Sequence, residues 1–170
     1  MEKDPEVYYY KLITKRYSQY INQKEQKSIT SLKQMINPKD ETVLKLISKF
    51  SEDEGTPIAQ QICDYLSSLK TLNTDITFWP TFEEINFIKI GDPTDKALFG
   101  CSLFIAAGMN SKICITENEE KYLVYDIEQT RYFYSIKTKE IYQGTELDFL
   151  LSKGVKFKYC FNHQQYKTYD

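Results

Sequence analysis

Histidine is almost missing from this chain: its 170 residues include one, His163. Cysteine occurs four times, at Cys63, Cys101, Cys114 and Cys160, and never as a CxxC pair. Each of the four lies in an apolar stretch, which suits a reduced, buried thiol and a cytosolic compartment. No apolar run has the length of a signal segment or a membrane span. No repeat or long low-complexity tract interrupts the chain. The net charge of −2 gives no electrostatic reason to expect nucleic acid. One loop, Ser51-Glu52-Asp53-Glu54-Gly55, resembles an acidic metal loop. With Gly55 at the sixth loop position, however, Phe50 and Gln61 fall where a calcium loop needs oxygen ligands, so no metal is expected. Nothing in the sequence calls for a cofactor.

What is present describes a folded protein. Apolar residues make up 41% and aromatics 15%, enough for a proper core. At this length one domain is expected, with residues 1–27 forming an N-terminal amphipathic helix and linker and residues 28–170 the main domain. Charge is uneven. Residues 1–39 carry eight Lys or Arg against four acids, whereas residues 40–96 carry five against eleven. The N-terminal segment therefore suits the domain's own acidic surface or an acidic partner.

Taken in order, Asp4-Pro5 opens a helix expected to reach about Gln23. Tyr10, Ile13, Tyr17, Tyr20 and Ile21 form its apolar stripe. Tyr8 and Tyr9 fall outside the stripe and, with Tyr17, are candidates for docking a partner. Gln23 to Ser28 reads as a linker. Further helices are expected at Ile29–Ile36, stopped by Asn37-Pro38, and at Asp40–Phe50, with Val43, Leu44, Ile47 and Phe50 inward. Another follows Thr56-Pro57 to about Leu69. After Gly108 the period becomes alternating. Strands are expected at Lys112–Thr116, Tyr122–Tyr125, Arg131–Ile136, Ile141–Tyr142 and Val155–Phe161, with a short helix from Glu146 to Leu151. Helices first and an antiparallel sheet second make the fold class α+β.

The chain is organised around Phe78 to Gly108. Thr81 and Glu84 have the spacing of a capping box, so a short helix begins at Phe82. Asp92 is a good N-cap, Pro93 suits the first helical position, and Asp95 adds a carboxylate in the first turn. From Thr94 to Ala107 the residues are mostly apolar or small, which predicts a helix buried on most of its surface, ended at Gly108. The carboxylates Asp92 and Asp95 read as helix caps ahead of a catalytic pair.

Trp79, Thr81, Glu83, Gly91, Asp92, Asp95 and Ala97, followed by Cys101, Phe104 and Gly108, resemble the core of the transglutaminase-like (papain-like) superfamily. The helix spacing is similar to that of its catalytically inactive branch in ciliary and centriolar proteins. The resemblance implies a central helix packed on an antiparallel sheet. It also implies a non-catalytic binding or scaffold module in a ciliary, centriolar or microtubule assembly, with tubulin or other cytoskeletal proteins as partners. In active members the nucleophile stands at the head of the buried helix, where the dipole favours a thiolate. Pro93 stands there in this chain, and no histidine occurs in Ser111–Asp126, where the family's catalytic His belongs. The expected binding surface is the vestigial cleft, with Trp79, Asp92, Pro93, Asp95 and Lys96. Lys96 would give it a positive rim or simply face solvent. Cys101, eight residues past Pro93, reads as packing, and His163 as a surface residue. The alternatives are a thiol protease or transglutaminase with a rearranged site using Cys101 or Cys114, and a regulatory subunit with an unrelated partner.

Overall fold

A computed structural model describes residues 4–17, 27–71 and 79–170. Among the described residues, seven helices accompany one six-stranded antiparallel sheet. The helices α1 (Pro5–Tyr17), α2 (Ile29–Met35), α3 (Glu41–Ser51), α4 (Ile58–Ser68), α5 (Phe82–Ile88) and α6 (Pro93–Ala106) precede the sheet. The strands are β1 (Asn110–Thr116), β2 (Lys121–Ile127), β3 (Thr130–Ser135), β4 (Ile141–Gln143), β5 (Phe157–Phe161) and β6 (Tyr166–Thr168), with α7 (Glu146–Lys153) between β4 and β5. Their spatial order is β4-β3-β2-β1-β5-β6. The α+β class expected from the sequence is therefore observed. Residues 72–78 and most of the linker from Gln23 lie outside the described residues, as does the side chain of Tyr17.

Local chemistry sets the helix ends. Asp40 Oδ1 accepts the amides of Thr42 and Val43 at the head of α3, and Thr145 caps α7 through the Asp148 amide. Thr81 and Glu84 form the expected capping box on α5. That helix ends at Lys89, which adopts a left-handed φ of 59°. Gly108, at φ 87°, makes the turn out of α6.

Strand alternation divides the core between two sheet faces. Ile113, Ile115, Leu123, Tyr125 and Tyr134 face α6 and the layer of α3 and α4 behind it. Cys114, Tyr122, Val124, Phe133 and Cys160 face the other way, onto Phe149 of α7 and Phe157. α6 is enclosed all round, with Asp95 through Phe104 buried. Phe99 stacks on Phe82 at 4.6 Å and Phe104 on Tyr125 at 4.1 Å. Each such side chain stabilises the fold by roughly 1.5–3 kcal/mol. Gly100 is the point of closest approach: a Cβ there would lie 2.4 Å from Leu123 and 2.6 Å from Leu66.

Several expectations need correction. In α1 the apolar phase is shifted: Tyr9 and Ile13 are buried against Ile88 and Ile90, while Tyr10 is 47% exposed. Tyr9 is thus a core residue and not free for docking, and Tyr8 packs its ring against Phe87 at 5.1 Å. In α3 Val43 and Leu46 are buried and Ile47 and Phe50 pack partly buried against the same core, whereas Leu44, expected inward, is 50% exposed. The polar tail forms β6 beside β5. This hairpin half-buries His163 and encloses its Nδ1 without a partner, so it is not the open surface residue expected. The four thiols are not all free. Cys114 and Cys160 face each other across β1 and β5 and are joined by a disulfide, leaving Cys63 and Cys101 as buried thiols.

Candidate functional site

The head of α6 is fixed from three sides. Asp92 Oδ1 accepts the Asp95 amide at 2.8 Å, and Asp95 Oδ2 accepts the Asp92 amide at 3.0 Å, a reciprocal capping box. Behind it, the Lys70 amide donates to the Lys89 carbonyl at 2.9 Å and the Gly91 amide to the Lys70 carbonyl at 3.0 Å. This pins the entry strand to the end of α4. From the third side, α1 is clasped on by ion pairs of Arg16 with Glu84 and of Lys70 with Glu6. Arg16 Nη1 also donates to the Trp79 carbonyl at 3.1 Å.

The carboxylates belong to this frame and not to an open pair. Asp95 is 2% exposed. Burial first, and then the neighbouring Asp92 charge, hold its pKa well above the ordinary 3.8, while the Asp92 amide pulls the other way. The phenol of Tyr9 is pushed up to about 12 by burial and then by the charges of the same two carboxylates.

Two open cavities flank the first turn of α6. One, of about 550 Å³, is lined by Trp79 and Thr94 together with Ile113, Ile115, Tyr159 and Phe161 of the sheet, and Lys27 lies at its edge. Lys27 Nζ stands over the Trp79 ring at 5.3 Å. The other, of about 610 Å³, lies between Pro93 and Lys96 on one side and the β1–β2 and β3–β4 turns on the other. The two meet at Glu119 and Lys121, which line both. The five residues expected to form one cleft are therefore separated. Trp79 belongs to the first cavity, Pro93 and Lys96 to the second, and Asp92 and Asp95 to the cap.

Lys96 departs most from expectation. It is neither rim nor solvent-facing but 5% exposed, and burial followed by repulsion from Lys139 lowers its pKa. Nothing in the local sequence signals the burial of Lys96, and only the tertiary packing encloses it. Lys121 and Lys139, which share its cavity, were missed because turn lysines carry no signal of their own.

Neither candidate thiol reaches these cavities. Cys101 is fully buried, and burial pushes its pKa up to about 12, opposed by the Ser111 hydroxyl. Cys114 is on the opposite face of the sheet, in the disulfide. Cys63 is buried against the Tyr125 hydroxyl, with its pKa pushed up to about 11. Among the described residues no group of histidine, cysteine and carboxylate side chains is placed to hold a metal ion, and no helix is long and apolar enough to cross a membrane. Compared with known protein families, curated proteins and solved structures, the chain matches none of them.

Proposed function

We propose that the chain is a non-catalytic transglutaminase-like domain that works as a binding or scaffold module in a ciliary, centriolar or microtubule assembly. The observation that carries this reading is the head of α6. Where a thiol enzyme of that kind needs its nucleophile, Pro93 offers no reactive atom, and β1 and β2, which pack on the helix, carry no histidine. The buried central helix on an antiparallel sheet agrees with a transglutaminase-like core. The Trp79 cavity, apolar at its base and bordered by Lys27 and Lys121, suits a peptide side chain or chain end. The cytoskeletal setting rests on the resemblance alone, because the Cys114–Cys160 disulfide removes the cysteine pattern as support for a reducing compartment.

The thiol-enzyme alternative draws no support from Cys101 or Cys114, one sealed in the core and the other in a disulfide. Co-sedimentation with assembled microtubules tests the proposal. The full chain is expected to pellet with them, and Trp79→Ala to pellet severalfold less. Absence of the wild-type protein from the pellet contradicts the microtubule setting. Undiminished binding of Trp79→Ala moves the contact away from the cleft.

A further inference from the structure

The cavity on the other side of α6 has a composition that the binding-module reading does not account for. Five lysines line it: Lys70, Lys96, Lys121, Lys137 and Lys139. Its two carboxylates are already engaged, Glu119 with Lys158 at 2.8 Å and Glu120 with Lys137 at 3.2 Å. Lys70 is paired with Glu6. That leaves Lys96, Lys121 and Lys139 without a carboxylate. Lys121 reaches only the Glu119 carbonyl, at 3.5 Å. Asp92, close enough to act on Lys96 through space, has its carboxylate directed to the Asp95 amide.

Lys96 is the decisive member. Its stem is packed into the fold, leaving 5% of the residue exposed, while its ammonium has no ion pair or hydrogen bond and is not sealed from the cavity. Fixed on the first turn of α6, its side chain lines the cavity and meets the field of Lys139 across it. The helix dipole adds positive potential at that end. A monovalent carboxylate would neutralise one of three charges, whereas a phosphate monoester carries close to two and offers three acceptor oxygens. Leu69, Pro93 and Ile136 supply apolar wall beside the lysines, which suits an organic group on the phosphate.

We propose that this cavity binds a small organic phosphate monoester, its dianionic group held among Lys96, Lys121 and Lys139 and its organic part against Leu69, Pro93 and Ile136. The inference stands without the transglutaminase-like reading, since it uses Pro93 only as apolar wall and does not use Trp79.

Calorimetric titration of the full chain with phenyl phosphate, inorganic phosphate and benzoate, at constant ionic strength, tests it. Phenyl phosphate is expected to bind tightest, inorganic phosphate about tenfold more weakly, and benzoate least. Lys96→Met should weaken phenyl phosphate by at least tenfold. Lys139→Asn, in a turn whose left-handed φ of 65° asparagine tolerates, should weaken it severalfold and serves if Lys96→Met fails to fold. Lys153→Met, away from the cavity, should leave it unchanged. No binding of either phosphate, benzoate binding as tightly as phenyl phosphate, or equal weakening by Lys153→Met overturns the proposal. Retained phosphate binding by a chain that ignores microtubules would leave this site standing and contradict the microtubule setting alone.

Discussion

Asp92 and Asp95 sit one helical turn apart at the same helix head and differ in what the fold does to them. Asp92 is a half-exposed cap whose carboxylate accepts an amide; Asp92→Ala should cost about 1 kcal/mol of stability, read as a lower denaturant midpoint. Asp95 is buried, and its pKa is raised above 3.8, chiefly by desolvation. A carboxyl that holds its proton more tightly when folded stabilises the fold below the ordinary carboxylate pKa. That contribution is lost as pH rises through the folded value. Asp95→Asn keeps an oxygen for the Asp92 amide and removes the titration. Wild-type stability relative to this variant should therefore fall as pH rises above the ordinary carboxylate range, from about pH 4 upward. A constant difference across that range would place the Asp95 pKa at its ordinary value. Lys96, one residue on, was not legible in the sequence for a related reason. Burial of a charge is decided by neighbours distant in the chain, here the turns carrying Lys121 and Lys139.

At the scale of elements, what the sequence made legible was local. Capping boxes and proline positions marked the heads of α5 and α6 because a cap bonds within three or four residues of itself. Alternation marked five of the six strands because half of each faces a core. β6 was missed because its three residues are all exposed and carry no alternation to read. The phase of α1 was misjudged by one position, since a run of three tyrosines, Tyr8 to Tyr10, fits more than one face. Its docking onto Ile88 and Ile90 makes α1 part of the fold. Removing residues 1–24 deletes Tyr9 and Ile13, each worth roughly 1.5–3 kcal/mol, and should lower Tm by on the order of 10 °C in thermal unfolding. An unchanged Tm would return α1 to the role of a docking arm. Inside the core, Gly100→Ala forces a methyl against Leu66 and Leu123 and should destabilise by about 1–3 kcal/mol, measured by chemical denaturation.

At the scale of the molecule, α6 packs against one face of the sheet and α7 against the other, and the Cys114–Cys160 disulfide ties β1 to β5. That pairing could not be read from the chain, because a sequence separation of 46 carries no register information until β5 is placed beside β1. In the loop-entropy account, closing a loop of this length is worth about 4 kcal/mol. With that link made, the free thiols are Cys63 and Cys101, both buried. The most direct test is to treat the native full chain at neutral pH, without reductant, with an electrophilic thiol probe and a peptide amide substrate, beside an unfolded control. The account predicts negligible native labelling, no amide turnover, and labelling of two cysteines, Cys63 and Cys101, on unfolding. Rapid labelling of one native cysteine together with turnover of the amide would contradict it.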